Sequence, residues 1–405
     1  MKISQLTKFL LVLLGGVWLR SSQVQAAITV GADDPMIQYS GRFDFSNPKK
    51  PRFDWPGTSI KTLFTGTSVT AIVSGGTNDF NVIIDGVVKS HLALVAGKTI
   101  YDLATGLSDG VHTLELYKRT EGFNGQTVFE GLVLADGESL QAPAPRPNRR
   151  ILFIGDSFTV GYGLEGTGAG CPDRRPLDNN YLAYGPLTAR ALEAEYSVQA
   201  VSGAGMVHNY GDQNPMSAQP LPFFFERTLF GSDLPKWNYA SWIPDVVTIA
   251  LGTNDFSTAV KPTQAQYTTA YKAFIKRIQG YFPNAQIVCL AYPVDSFQGK
   301  YVEAMVKELM GQGETKVTAF LMPATTNTGC DGHPNRADHQ KLSTALIPIL
   351  QPFMPVTTAV SPQRGNSHSK EFPRDHFGPS PLFSHPAAPA GIDVKGRMLS
   401  GSPVP

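Results

Sequence analysis

No sign of charge dominates this sequence, and that removes one set of partners at the start. Against 34 basic side chains stand 33 acidic ones, a formal net charge of +1. So weak a field draws neither nucleic acid nor an anionic membrane surface, and a neutral partner fits better. Long apolar runs are scarce as well. Phe9 to Trp18 is too short to cross a bilayer, which takes ~20 residues, and no later stretch is long and apolar enough. Metal and nucleotide signatures are missing: there is no His-Glu-x-x-His, no Cys-x-x-Cys and no Walker A lysine, so no cofactor or metal is indicated. Gly161-Tyr162-Gly163-Leu164-Glu165-Gly166 does match G-x-G-x-x-G after a strand. The dinucleotide fingerprint needs its last glycine to open a helix, whereas Gly168, Gly170 and Pro172 follow here, and the match is set aside.

Cysteine is limited to Cys171, Cys289 and Cys330. Lys2 and Lys8, the apolar run from Phe9 and the small residues of Val24-Gln25-Ala26 read as an export signal over residues 1–26, with the mature chain starting at Ala27. An uncleaved N-terminal anchor is the alternative. On the first reading the protein is secreted, outside the cell or into a periplasm, and holds no stable membrane association after cleavage. Export meets an oxidising compartment, where one pair plus an odd thiol is the simplest arrangement of three cysteines. Cys289 falls in the apolar run Gln286-Ile287-Val288-Cys289-Leu290-Ala291, where a thiol behaves as a small hydrophobe. That leaves Cys171 and Cys330 as the expected disulfide, with three free thiols as the alternative.

What is present divides into regions. The 405 residues, 42% hydrophobic and 17% charged, exceed what one core usually serves. Residues 27–141 carry short β-type runs at 68–73, 80–84, 87–94, 113–118 and 127–134, with Asp85-Gly86 a strong two-residue hairpin signal. A β-sandwich or jelly roll is expected. Ala142-Pro143-Ala144-Pro145-Arg146-Pro147 lacks regular backbone donors, and 142–149 reads as a linker or stiff strap. From 150 to 354 apolar strands alternate with helical periods, among them a helix around 181–195, another at 264–282 and a last one at 336–350. Such alternation implies a parallel sheet covered by helices on both faces. Residues 355–405, rich in Pro, Ser, Gly and His, are expected to be a disordered tail, and metal binding by the dispersed His368, His376 and His385 is not expected.

Acyl transfer needs an exposed hydroxyl, a base for its proton, and donors aimed at the developing oxyanion. Gly155-Asp156-Ser157 follows the strand Ile151-Leu152-Phe153-Ile154 and offers Ser157 as nucleophile. Val201-Ser202-Gly203-Ala204-Gly205 offers the Gly203 amide, since glycine lets a backbone approach a ligand closely. Leu251-Gly252-Thr253-Asn254-Asp255 ends a buried strand and offers the Asn254 amide, with Asp255 a structural acceptor. Cys330-Asp331-Gly332-His333-Pro334-Asn335 offers His333 as base, with His208 second in line and His339 structural.

Four such blocks in this order resemble the SGNH, or GDSL, hydrolase superfamily over about residues 149–350. The resemblance implies a flavodoxin-like three-layer sandwich and ester hydrolysis through an acyl-enzyme. Ser157 would then be nucleophile and oxyanion donor, Gly203 and Asn254 would complete the oxyanion hole, and His333 would be the base. That superfamily usually places its acid three residues before the histidine; Cys330 stands there, and Asp331 only two before. Either Asp331 completes a triad or a backbone carbonyl orients the ring. The β-region ahead of the hydrolase region, with Asn179-Asn180-Tyr181-Leu182-Ala183-Tyr184-Gly185 and the Gly-Cys-Asp-Gly-His-Pro-Asn ending, is similar to carbohydrate esterase family 2. That similarity implies deacetylation of acetylated plant polysaccharides such as xylan or glucomannan. The alternatives are a GDSL-type lipase or short-chain acyl esterase, and a carbohydrate-binding protein without activity. Tyr210, Trp237, Tyr239 and Phe256, in or near the long irregular loops, are candidates to stack on sugar faces.

Overall fold

The structure, a computed structural model, describes residues 27–168, 170–291 and 296–356. The export-signal segment, and the tail with His368, His376 and His385, lie outside the described residues. The N-terminal third is a sandwich of two antiparallel sheets. One is a path of Ile28–Gly31, Thr127–Leu134, Val69–Ser74 and Ile100–Ala104; the other runs Leu140–Gln141, Ser59–Thr65, Val111–Lys118, Asp79–Ile84 and Val87–Ala93. Alternate residues point inward, so Ile60, Phe64, Val69, Val73, Phe80 and Leu116 share one core. Asp85 (φ 52°) and Gly86 (φ 75°) both sit at positive φ between paired strands, the conformation a two-residue hairpin loop demands.

The second region is a five-stranded parallel sheet. Its spatial order is Glu195–Ala200, Arg150–Gly155, Val246–Ala250, Gln286–Ala291 and Val317–Leu321, the doubly wound order 2-1-3-4-5. The inner strands are apolar nearly throughout because helices cover both faces. Tyr267, Tyr271, Phe274 and Ile278 of helix Gln264–Tyr281 pack on the face presenting Leu152, Ile154, Val247 and Ile249. Tyr184 and Ala189 of Tyr184–Ala191, with Leu342 and Leu346 of Arg336–Leu350, cover the face presenting Ile151 and Phe153. The helix expected around 181–195 is shorter: Glu193 takes a left-handed turn (φ 52°) and Glu195 already begins a strand.

The two regions meet through buried polar groups. Arg42 of the sandwich is fully buried and donates to Phe225 O (2.7 Å), Arg227 O (2.6 Å) and Gln199 Oε1 (2.8 Å). Burial lowers its pKa to about 10, so the guanidinium stays charged at neutral pH. Asp54 accepts from the amides of Phe230 and Gly231, and Trp55 Nε1 donates to Thr228 O. The proline-rich segment is tied at both sides, Ala144 O accepting from Gln38 Nε2 and Arg146 pairing with Glu195. Removing the Arg42 side chain leaves Arg227 O and Gln199 Oε1 without donors among the described residues. Arg42→Ala is therefore expected to cost about 3 kcal/mol of stability, read as a lower urea midpoint.

Candidate active site

The sheet order reverses between Glu195–Ala200 and Val246–Ala250, on either side of Arg150–Gly155. Open α/β sheets form their crevice at the carboxyl end of such a point. Arg150–Gly155 ends there, at Gly155, where any side chain would collide with Thr159 Oγ1. Asp156 then caps a single helical turn, Ser157–Val160, its Oδ1 accepting from Phe158 N. Burial, with the nearby Asp255 charge, pushes the Asp156 carboxyl up to about 7. Ser157 opens that turn and is 5% exposed.

His333 arrives from the opposite end of the chain, with its Nε2 2.8 Å from Ser157 Oγ. The loop that carries it is held three ways. Cys330 is disulfide-bonded to Cys171, Cys330 N donates to Gly163 O, and Gly329 N donates to His333 O. His333 Nδ1 lies 3.1 Å from Cys330 O. A carbonyl can only accept, so Nδ1 carries the ring proton and Nε2 is left as the acceptor for the serine hydroxyl. Burial lowers the His333 pKa and keeps this neutral form.

Asp331 does not complete a triad. It adopts φ 52°, and its Oδ2 accepts from Tyr162 OH at 2.7 Å, while the carbonyl of Cys330 occupies the position beside Nδ1. Tyr162 stacks on the imidazole at 4.2 Å between centroids, and the Arg174 guanidinium lies 4.2 Å from the Tyr162 centroid. Neither was readable beforehand: Tyr162 stands inside the glycine-rich decoy, and Arg174 in a loop without periodicity.

Two backbone amides complete the picture. Neither Ser157 N–H nor Gly203 N–H has a hydrogen-bond acceptor among the described residues. Gly203 takes φ 77°, and the nearest atom a Cβ there would meet is Tyr210 Cβ at 3.9 Å. Asn254, on the turn Thr253–Phe256, donates through Nδ2 to Ala204 O at 2.9 Å and lies 3.5 Å from Asp156 Oδ2. Asp255 accepts the amides of Met206, Val207 and His208, which shapes the loop after Gly203. His208 is buried against Asn214 O and Thr258 Oγ1, and His339 is buried with its pKa pushed down to about 3, so neither reaches the serine as base.

Of the aromatic candidates only Tyr210 is open, at 64% exposure. Phe256 is 5% exposed and packs edge-on against Tyr267 and Tyr301. Trp237 is half-buried over Arg42, and Tyr239 stacks on Tyr281. Phe256 and Tyr239 thus lie in the core of the α/β region, whereas Trp237 stays partly exposed at its edge.

Residues 39–145 match the family described as carbohydrate esterase 2 N-terminal, and residues 153–366 match the GDSL-like lipase/acylhydrolase family. An acetylxylan esterase/glucomannan deacetylase of Cellvibrio japonicus is 32% identical over 76% of this chain and 87% of its own length. A family two carbohydrate esterase from Clostridium thermocellum, solved in complex with cellohexaose, is 33% identical with a TM-score of 0.72 over 78% of this chain and 98% of that one. The chain belongs to carbohydrate esterase family 2. Its N-terminal β-sandwich and its parallel-sheet domain are those of this family of carboxylic ester hydrolases. The cellulase/esterase CelE of Acetivibrio thermocellus is 36% identical over 78% of this chain, which spans only 39% of that longer protein.

For this family 2 member, the position of Asp331 has a direct consequence. Asp331→Asn should keep aryl-acetate turnover within about threefold of the parent, whereas loss of a true orienting carboxylate can cost ~10⁴ in kcat.

Proposed function

We propose that this esterase removes acetyl groups from plant cell-wall polysaccharides, acetylated xylan or glucomannan, after export from the cell. The observation that carries the reading is the Ser157 Oγ to His333 Nε2 contact of 2.8 Å. In the reaction, His333 Nε2 takes the hydroxyl proton as Oγ attacks the acetyl carbonyl carbon. The oxyanion rests on the amides of Ser157 and Gly203, with the Asn254 side chain beside them. The imidazolium then returns the proton to the departing sugar oxygen, which leaves an acetyl group on Ser157. Water, deprotonated by the same imidazole, releases acetate.

A carbohydrate substrate is supported by the cellohexaose bound in the Clostridium thermocellum relative and by the activity in the names of the Cellvibrio japonicus relatives. Tyr210, exposed and hydrogen-bonded through its backbone to Gly203 O, offers a flat face at the edge of the oxyanion site. Export is supported by the leader-like N-terminus and by the Cys171–Cys330 disulfide, which suits an oxidising compartment.

Acetate release from acetylxylan and acetylated glucomannan, measured beside long-chain esters, tests the substrate class. Acetate is expected from the saccharides, with little hydrolysis of long chains, and Ser157→Ala should lose about 10⁴-fold or more of the activity. Hydrolysis of long-chain esters alone would defeat the proposal, as would saccharide binding without turnover. The pH dependence has a fixed sign. Only the neutral imidazole accepts a proton, and burial disfavours the cation. Activity should therefore hold through neutral pH and fall on the acid side, with a midpoint in kcat/KM below the ordinary histidine value.

A further inference from the structure

One buried carboxylate near the site has no part in the chemistry just described. Glu121 belongs to the sandwich, immediately before the short helical turn Gly122–Asn124, and is 1% exposed. Its Oε2 accepts from Ser202 N at 2.7 Å, a bond that spans 81 residues of chain and crosses from the sandwich to the α/β region. Ser202 directly precedes Gly203, whose amide is the proposed oxyanion donor. Fixing the amide of Ser202 fixes the direction in which the chain enters Gly203 at φ 77°. The other oxygen, Oε1, lies 3.6 Å from Arg174 Nη1. Arg174 in turn pairs with Asp178 and backs Tyr162, the ring stacked on His333. A single carboxylate therefore touches the supports of both the oxyanion amide and the base.

We infer that Glu121 is a positioning residue for ester hydrolysis, by which the sandwich domain holds the Gly203 amide and, through Arg174, the His333 ring in register. This rests on the proposed esterase reading. A displaced oxyanion donor loses its effect on the transition state while leaving ground-state binding nearly unchanged, and misplacement by an ångström is enough to cost ~10²-fold. Glu121→Ala removes the acceptor. Glu121→Gln keeps an oxygen for Ser202 N–H and gives up the charge, with an amide donor replacing the oxygen that faces Arg174.

The test uses the full chain and an aryl acetate, with kcat, KM and the thermal midpoint measured for the parent, Glu121→Ala, Glu121→Gln, Asn254→Ala and the Glu121→Ala/Asn254→Ala pair. Glu121→Ala should lower kcat about 10²-fold with KM within about twofold, and Glu121→Gln should recover most of that loss. The double variant should lose less than the product of the two single losses, since both act on one oxyanion site. Three results would overturn the inference: parental kcat in a folded Glu121→Ala; losses in the two Glu121 variants that follow the thermal midpoint alone; or full multiplicativity with Asn254→Ala. If Glu121→Ala does not fold, Glu121→Leu, which keeps buried volume while removing the acceptor for Ser202 N–H, and its pair with Asn254→Ala carry the same decision. A parent that hydrolyses no ester contradicts the esterase reading itself, which is a different outcome from parental activity surviving in Glu121→Ala.

Discussion

The contact between His333 Nδ1 and Cys330 O is the constraint on which the rest of the site depends. It selects the tautomer, and the tautomer decides whether Nε2 can accept the Ser157 proton at all. A backbone carbonyl orients less strongly than a carboxylate, because it carries no full charge to stabilise the imidazolium. Its position must therefore be rigid. That rigidity comes from the disulfide to Cys171, the Cys330 N to Gly163 O bond, and the left-handed Asp331 that turns the chain back toward the serine. Asp331 is then free to bind Tyr162, which lies flat on the imidazole.

A second theme is the density of buried charge between the sandwich and the parallel sheet. Arg42, Asp54, Lys118 and Glu121 are all buried or nearly so. Lys118 donates to Thr120 O and Glu121 O, and burial lowers its pKa to about 7. Burying ions seldom gains stability, since desolvation offsets the attraction. What such groups do well is specify geometry, because each has few acceptable partners. For Arg42, Asp54 and Glu121 the partners are mostly carbonyls and amides of α/β-region loops, so the sandwich acts as a template for loops that have little regular structure of their own.

Much of this was legible in the sequence, for a physical reason. Ser157, Gly203, Asn254 and His333 stand in or beside the loops that follow apolar strands, or just before a capped helix, and strand ends in a doubly wound sheet share one rim. The Asp85-Gly86 hairpin and the apolar stripe of helix Gln264–Tyr281 were readable because turn chemistry and helical period are local. The orientation of Asp331 was not, since two residues of spacing from His333 do not say that φ 52° directs the carboxylate toward Tyr162. The burial of Phe256 was not legible, because an aromatic residue in an aperiodic loop reads alike whether it faces sugar or core. Glu121 carried no signal, because its role exists only once the two regions are docked.

Acid-quenched peptide mass spectrometry during steady turnover of an aryl acetate addresses the central claim most directly. The expected result is a single acetyl group on the peptide carrying Ser157. An acetyl group on another residue, or a stoichiometric burst of the aryl leaving group with no acetylated Ser157 peptide trapped, would contradict a serine–histidine ester hydrolase built in this way.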